Sequence, residues 1–183
     1  MTITQNKIKN NAITLRQTQI DDAIKLPVIE QSAGQLFSTL EDLKWISESD
    51  VQGVETHLEF INQHDHWVAV NHDNEPMGFI MTQTLPDSLF IHELSVSQDW
   101  QNNGIGKLLI QKVKDEAKAR KFDAVTLTTF RHVPWNAPYY QRLGFSILPE
   151  NEVPHSLQEI LDHEVDKGGF VKETRCAMKC KIY

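Results

Sequence analysis

The sequence has few cysteines, an excess of acidic over basic residues and no long apolar run. No apolar stretch approaches the roughly 18 residues that a membrane-spanning helix needs. The residues from Met1 to Lys7 lack the charged-then-apolar layout of a signal peptide. There is also no internal repeat and no low-complexity tract. We therefore expect a cytoplasmic protein without a membrane partner.

The two cysteines, Cys176 and Cys180, lie four residues apart in a segment that reads as a strand from Lys172 to Ile182. Four residues along a strand span about 13 Å, which exceeds the reach of a disulfide. We therefore expect two reduced thiols that pack in the interior.

The charge balance is acidic, with 18 Lys and Arg residues against 25 Asp and Glu residues and a net charge of −7. Proteins that bind nucleic acids usually concentrate positive charge, so we expect no nucleic-acid partner. A negative net charge suits a cationic small substrate. With 183 residues, 40% of them hydrophobic, the chain can bury one substantial core. We predict one domain over 1–183, with its core at about 11–180 and a flexible N-terminus at 1–10.

The most informative segment is a glycine-containing turn from Gln101 to Gly106. It follows the apolar run 89–96 and precedes an amphipathic segment at about 104–120. One face of that segment is apolar, with Ile105, Leu108, Leu109, Val113 and Ala117. A strand that turns into a helix through glycines leaves backbone N–H groups free, and the helix dipole favours an anion there. The turn therefore predicts a phosphate site.

Spacing separates three kinds of phosphate-binding signature. A P-loop needs glycine where Gln101 stands and Ser or Thr where Leu108 stands. A dinucleotide fingerprint needs a small residue at 109, and Leu109 is bulky. The pattern that remains is Q-x-x-G-x-G.

The segment downstream adds a β-rich run, 122–130, and then Asn136, Tyr140 and the pair Gly144-Phe145. Together with Q-x-x-G-x-G, these residues resemble the GNAT superfamily of acetyltransferases, in which that pattern wraps the pyrophosphate of coenzyme A. The resemblance covers about 11–178 and is strongest over 91–145. The interval from Asn136 to Tyr140 is shorter than in many members.

The resemblance implies an α/β fold, a single-domain GNAT fold with a mixed central sheet of six to seven strands. The sheet is expected to be splayed at the coenzyme A site and to carry helices on both faces. The residue patterns agree with this order of elements. They predict a first strand at 13–16, helices from Asp21 through Ala33 and at 54–63, and a hairpin of strands at 66–70 and 77–82 that leads to the strand 89–96.

The resemblance also implies acetyl-CoA as the cofactor. Backbone N–H groups of the turn are expected to face the pyrophosphate, with Gln101 shaping the loop and Lys107 assisting. The pantetheine arm is expected to pair with the backbone of the preceding strand. The predicted cofactor-binding residues are Leu94, Ser95, Val96, Gln101, Asn102, Asn103, Gly104, Ile105, Gly106, Lys107 and Asn136.

The chemistry expected is direct transfer of an acetyl group from a thioester to an amine. An alkylamine is mostly ammonium at neutral pH, so a base must remove a proton before it can attack. Glu93 resembles the strand glutamate that serves this purpose in many GNAT members, and regular alternation points its side chain away from His92 and Leu94. If the strand bulges there, His92 is the alternative base.

The departing thiolate must be protonated or stabilised, which a phenol can do. Tyr140 resembles the general acid of the family. The adjacent Tyr139 is the alternative, because the rotation of the helix by one residue decides which side chain faces the sulfur.

The acceptor is expected to be a small amine, bound by residues whose positions place them near the cleft: Glu30, Phe37, Trp45, His92, Thr129, Arg131 and Trp135. Glu30 and the aromatic rings suit a cation, whereas Arg131 suits an acidic group or a structural ion pair. The alternatives are a protein or peptide acceptor and a non-catalytic module that binds coenzyme A as a sensor or assembly subunit. A homodimer is possible. The cluster His64-Asp65-His66 reads as a solvated turn, and no metal is predicted.

Overall fold

The computed structural model describes residues 13–63 and 65–183 and contains one sheet of seven strands. The flexible N-terminus predicted for 1–10, and His64, lie outside the described residues. The strands are β1 (Thr14–Gln17), β2 (His66–Val70), β3 (Pro76–Leu85), β4 (Ser88–Val96), β5 (Ala124–Phe130), β6 (Ser146–Ile147) and β7 (Arg175–Lys181). The α-helices are α1 (Leu26–Gly34), α2 (Lys44–Glu48), α3 (Val54–Asn62), α4 (Ile105–Ala119), α5 (Ala137–Arg142) and α6 (His155–Gly168). Over the two described stretches, the helices are too short or too polar to cross a bilayer.

The strand order across the sheet is β1-β2-β3-β4-β5-β7-β6. Every neighbouring pair is antiparallel except β4 and β5, which run parallel and are joined by α4. A parallel pair needs such a crossover, because the chain must return to the end of the sheet where the first strand began before the second strand can start. The predicted mixed sheet of six to seven strands is therefore confirmed.

Helices cover both faces of this sheet because the central strands are apolar on both sides. Val68 and Phe79 pack on one face in a cluster with Leu26 of α1. Ala69 and Ile80 face the other way and belong to the main core. The main core also takes in α4. Successive residues of a strand point to opposite faces, so one short apolar run serves both layers.

The amphipathic segment after the glycine turn forms α4, as predicted. Its buried face consists of Ile105, Leu109, Ile110, Val113 and Ala117. The prediction placed Leu108 on this face, but Leu108 is 42% exposed. Ile110 takes its place, because a rotation of 100° per residue carries residue 110 nearer to the centre of the apolar stripe than residue 108.

The helical pattern from Asp21 through Ala33 divides into two elements. Residues 20–25 form a 3₁₀ helix and α1 begins at Leu26. The Asp22 carboxylate accepts a hydrogen bond from the Gln19 N–H and is paired with Arg16 at 2.7 Å, which holds the first segment. Pro27 lies in the first turn of α1, where its missing N–H breaks no helical hydrogen bond.

The chain after Phe145 contains an α-helix that the sequence predictions do not include. β6 is only two residues long, and α6 follows it before β7 returns between β5 and β6. Leu157 of α6 is buried against Leu85 and Phe90. Ile160 and Leu161 pack against the same cluster, so the apolar residues of α6 follow the spacing of an amphipathic helix.

Two smaller sequence predictions have different outcomes. Cys176 and Cys180 are free and buried, which confirms the expected thiols. The interpretation of 64–66 as a solvated turn is wrong for its described residues. His66 is 1% exposed and Asp65 pairs with Arg120 at 2.9 Å, because β2 begins at His66 in the sheet interior.

The two adjacent leucines of α4 offer a matched test of this packing. We expect Leu109→Ala to lower the free energy of unfolding by about 2–5 kcal/mol, because it leaves a cavity in the main core. Leu108→Ala is expected to cost less than about 1 kcal/mol, since its side chain is half exposed. Urea denaturation of both variants checks this. Equal losses would contradict the assigned orientation of α4.

Candidate active site

The parallel strands β4 and β5 separate partway along their length. Their pairing is confined to Leu89 with Val125, Phe90 with Thr126 and Ile91 with Leu127, and no later pair joins them in the described chain. On its other edge, β4 stays paired with β3 as far as Val96. The β5-facing edge of residues 92–96 is therefore open. Backbone groups at such an edge are available to a ligand.

A β-bulge lies where the two strands begin to separate. Met81 pairs with Glu93 and the next residue, Thr82, pairs with Ile91, so His92 is an extra residue in β4. The ring of His92 packs against Phe60 of α3 with a centroid separation of 5.0 Å. Glu93 shares the sheet face of its partner Met81, which packs in the cluster that contains Phe60. The expectation that Glu93 and His92 point to opposite faces is therefore wrong, because the bulge interrupts the alternation.

Glu93 occupies a desolvated position with several groups that favour its ionised form. Burial raises the pKa of Glu93 above its ordinary value. The Ser95 hydroxyl donates to Glu93 Oε1 at 2.8 Å, and the Leu94 N–H and the charge of Arg175 also act to lower the pKa. A carboxyl group with such a perturbed pKa is a candidate for acid and base chemistry.

Glu30 of α1 is a second carboxyl group close enough to interact with Glu93. Burial and the charge of Glu93 raise the pKa of Glu30 to about 8, opposed by the Gln52 N–H. That N–H donates to both carboxylate oxygens of Glu30 at 3.3 Å. Two close carboxylates in a desolvated site do not ionise together readily, so the pair retains one proton near pH 7. Glu93 has more hydrogen bonds to its charged form, so Glu30 holds that proton.

A buried ion pair, which the residue patterns did not indicate, supplies the positive charge of the site. Arg175 of β7 donates to both oxygens of Glu164 at 2.9 and 3.0 Å. Its guanidinium lies over the adjoining rings of Phe130 and Phe170, at 4.6 and 4.7 Å from their centroids. The charge of Arg175 lowers the pKa values of Glu93 and Tyr140. No local motif marks these residues, since they come together only through the pairing of β5 with β7.

The two adjacent tyrosines of α5 have different surroundings. Tyr140 is buried in the main core and packs edge-on against Phe145 at 5.7 Å. Burial, with the charge of Glu93, raises the pKa of Tyr140 well above its ordinary value, so the phenol stays protonated. Tyr139 is half-buried, and its hydroxyl lies 2.8 Å from the place a Cβ on Gly106 would occupy. The Tyr139 hydroxyl thus lies beside the glycine turn, whereas Tyr140 is close enough to Glu93 for the charge of that carboxylate to raise the pKa of the phenol.

The glycine turn is held to the end of β4. Gln101 Nε2 donates to the carbonyl of Val96 at 3.0 Å. Asn102 and Gly104 both have positive φ, 61° and 79°, which bends the chain sharply before α4. The first N–H groups of a helix have no acceptor inside it. A Cβ at Gly104 would meet no atom within 4 Å, so the turn is open to an incoming anion.

Asn136 lies where the chain leaves β5 and enters α5. Its Nδ2 donates to the Thr129 hydroxyl at 2.9 Å. Among the described residues, Asn136 Oδ1 and the neighbouring Trp135 Nε1 are buried without a hydrogen-bond partner. Unpaired buried polar atoms are rare in folded proteins, and they often mark the place of a ligand.

Aromatic contacts join the segment that follows α1 to the end of β5 and to the segments that follow β5 and α6. Phe37 packs against Phe130 and Trp135 with centroid separations of 5.6 Å in each case, and Trp45 packs against Phe170 at 5.4 Å. A cavity of about 370 Å³ lies between Trp45 and the rings of Phe130 and Phe170. Its other lining residues are Asp42, Leu43, Gly169, Val171 and Thr174.

The predicted acceptor residues therefore fall into separate groups. Phe37, Trp45 and Trp135 belong to the aromatic contacts, while Glu30 lies near Glu93. Thr129 is engaged with Asn136. The guanidinium of Arg131 donates to the carbonyl of Arg175 at 3.2 Å. Lys107 is exposed at the start of α4.

A comparison with protein families matches residues 35–145, more than half of the chain, to the acetyltransferase (GNAT) family. The chain belongs to the GNAT family. This GNAT acetyltransferase is similar in fold to the PaiA N-acetyltransferase of Thermoplasma acidophilum, solved in complex with coenzyme A. The TM-score is 0.66 at 17% identity, over 93% of this chain and 99% of that chain.

Two further structures show the range of proteins that share the GNAT fold. The N-acetylglutamate synthase of Neisseria gonorrhoeae, complexed with coenzyme A and N-acetyl-glutamate, has a TM-score of 0.67 at 17% identity. The match covers 94% of this chain and 35% of that longer protein. The ribosomal-protein-S18-alanine N-acetyltransferase of Escherichia coli has a TM-score of 0.62 at 18% identity, over 93% and 94% of the two chains. At these identities the likeness concerns the fold.

The hydrogen bond from Ser95 to Glu93 predicts how substitution of Ser95 changes the pKa of Glu93. We expect Ser95→Ala to raise the pKa of Glu93 further, because the lost hydrogen bond favours the ionised form. Ser95→Thr, which keeps a hydroxyl, is the control. Carbon-13 NMR titration of the Glu93 carboxyl in the folded variants measures the change. A lower pKa in Ser95→Ala would show that the hydroxyl has no such role.

Proposed function

We propose that this GNAT acetyltransferase moves an acetyl group from acetyl-CoA directly to a primary amine of a small molecule. The observation that carries the proposal is the open edge of β4 over residues 92–96. The glycine turn follows this edge, and Glu93 lies within it. A donor bound along the edge would therefore lie between an anion site and a base.

The residues along this edge fit coenzyme A in three ways. The open turn at Gly104 and the first N–H groups of α4 suit a pyrophosphate. The free edge from Leu94 to Val96 suits the amides of a pantetheine arm. The unpaired Asn136 Oδ1 suits one further amide N–H. PaiA N-acetyltransferase and N-acetylglutamate synthase, both similar in fold, were solved with coenzyme A.

Glu93 is assigned the role of base. When bound, acetyl-CoA supplies a thioester carbonyl that an uncharged amine can attack. Glu93 removes a proton from the ammonium form of the acceptor, and Ser95 and Arg175 keep its carboxylate ready for that step. His92 lies on the same face and is exposed, and the protein atoms around its ring lower its pKa by partial desolvation, so the neutral ring can contact the acceptor or serve as the alternative base.

Tyr140 is assigned the role of acid. Its phenol remains protonated because burial and the charge of Glu93 oppose its ionisation. A protonated phenol can donate to a departing thiolate. Tyr139 stays the alternative, since its hydroxyl borders Gly106 in the turn.

The contacts of the segment after α1 support a small acceptor. Phe37 and Trp45 connect this segment to Trp135 and Phe170, which narrows the cleft on that side. The cavity of about 370 Å³ matches the volume of a small ligand, and Asp42 with the aromatic rings suits a cation. The similar structures include enzymes named for a small molecule and for a protein, so the proposal depends on these contacts.

Thiol release from acetyl-CoA across a panel of amines tests the transfer. We expect one class of small amine to stimulate release, and Glu93→Gln to lower kcat by about 10²–10⁴-fold at pH 7. The loss is expected to shrink at higher pH, where more amine is already uncharged, while coenzyme A affinity is unchanged. Tyr140→Phe is expected to reduce kcat more than its matched control, Tyr139→Phe.

Three outcomes of that assay would contradict the assignments. Release stimulated only by peptides or proteins would replace the small acceptor with a protein one. Tight coenzyme A binding without transfer to any amine or peptide would favour a binding module. An unchanged rate in Glu93→Gln would remove Glu93 from the mechanism.

The phosphate site can be tested with two glycines in the same conformation. Gly104 and Gly169 have φ of 79° and 71°, and a Cβ on either would meet no atom within 4 Å. Substitution by alanine therefore strains both by a similar amount, about 1 kcal/mol. We expect Gly104→Ala, but not Gly169→Ala, to weaken coenzyme A binding by roughly tenfold in calorimetric titration. Equal affinities would place the pyrophosphate elsewhere.

A further inference from the structure

Two histidines lie buried behind Glu30. His57 of α3 is fully buried and His66 at the start of β2 is nearly so. The ring of Phe79 packs against both, with centroid separations of 5.0 and 5.3 Å. Neither ring has a role in the acid and base chemistry proposed above.

A line of polar atoms runs from Thr18 through these two rings towards Glu30. Thr18 Oγ1 lies 2.8 Å from His66 Nδ1, and His66 Nε2 lies 3.1 Å from His57 Nδ1. In the described chain, His57 Nε2 is buried without a hydrogen-bond partner, and Glu30 Oε2 is 4.0 Å away. A shift of about 1 Å, or one bridging water, would complete this last link.

Both rings are neutral near pH 7. Burial lowers the pKa of His57 to about 4, and burial with the neighbouring His57 lowers the pKa of His66 to about 3. Asp22, which is paired with Arg16, faces His66 and opposes the shift without reversing it. A neutral imidazole has one donor and one acceptor, so each ring must donate at one nitrogen and accept at the other.

Two arrangements of protons satisfy the whole line. In the first, protonated Glu30 donates to His57 Nε2, His57 Nδ1 donates to His66 Nε2, and His66 Nδ1 donates to the Thr18 hydroxyl. In the second, every bond is reversed: Thr18 donates to His66, His66 to His57, and His57 Nε2 to the Glu30 carboxylate. A hydroxyl at the end permits both, because it donates or accepts equally well.

We propose that Thr18, His66 and His57 form a switchable hydrogen-bond chain that holds Glu30 in both of its protonation states. The three are positioning residues, since they act on the acceptor site through Glu30. The balance is simple. Glu30 gives a proton to His57 Nε2, His57 Nδ1 gives one to His66 Nε2, and His66 Nδ1 gives one to the Thr18 oxygen, whose former hydroxyl proton leaves to water. The rings stay neutral and exchange tautomers, and proton uptake follows the same path in reverse.

The chain matters to the site because Glu30 faces Glu93. A fixed cation in place of His57 would hold Glu30 as a carboxylate, and the negative charge of that carboxylate would raise the pKa of Glu93. Because His57 can either accept from Glu30 or donate to it, Glu30 is free to be neutral. Its other contact is the Gln52 N–H. Glu93 then carries the negative charge of the pair and can accept the proton of the amine. This consequence rests on the proposed function, whereas the tautomer exchange does not.

Nitrogen-15 NMR of the imidazoles in the full-length protein tests the chain without any acetyl transfer. The pKa of Glu30, about 8, places the exchange near that pH. We expect both rings to be protonated on Nδ1 at pH 6 and on Nε2 at pH 9.5, in one shared step with no imidazolium. Glu30→Gln is expected to abolish the step. Thr18→Val is also expected to abolish it, and Thr18→Ser is expected to retain it.

Two results would overturn the proposal. One is that the rings keep a single tautomer from pH 6 to 9.5 in the folded wild-type protein. The other is that the step survives in Glu30→Gln or in Thr18→Val. A pH profile of kcat/KM gives the link to function: we expect a limb near pH 8 in wild type and Thr18→Ser that is displaced in Thr18→Val. A tautomer step without any effect on that profile would retain the chain and reject its role in amine acetylation.

Discussion

The separation of β4 from β5 after Ile91 is the constraint on which the candidate site depends. Only three register pairs join the parallel strands, and the bulge at His92 begins where their pairing stops. Backbone N–H and C=O groups beyond that point need partners, and a ligand can supply them. The glycine turn, Asn136 and Glu93 all lie along this opening. A sheet that stayed paired there would have no site.

The fold also determines the charge of the site. Arg175 is held by two bonds to Glu164 and by the rings of Phe130 and Phe170, so its positive charge cannot move away from the cleft. Its charge acts on Glu93 of β4, and Glu93 in turn interacts with Glu30 of α1. Because water is largely excluded, their interaction is strong enough that they share a proton. Burial at this opening raises the pKa values of both carboxyl groups above their ordinary values.

Sequence patterns predicted the elements that depend on local periodicity. The helix after the glycine turn and the hairpin of β2 and β3 repeat apolar residues at the spacing of their own structure. The family resemblance added the mixed, splayed sheet. Helix α6 escaped prediction although its apolar residues Leu157, Ile160, Leu161 and Val165 follow helical spacing. The 3₁₀ segment before α1 was not distinguished from the helix, although Asp22 holds it through contacts to Gln19 and Arg16, which lie three and six residues earlier.

The family, the turn that presents backbone N–H groups, and the residue types able to act as base and acid could all be predicted from the sequence. Each of these depends on the identity and spacing of residues in short segments. Tertiary packing was needed to show that His92 and Glu93 share a face, that Arg175 and Glu164 lie near Glu93, and that His57 and His66 lie near Glu30. These features join residues from different strands and helices, and a bulge in one strand reverses a prediction that assumes regular alternation. Their physical cause is long-range packing, which no local pattern encodes.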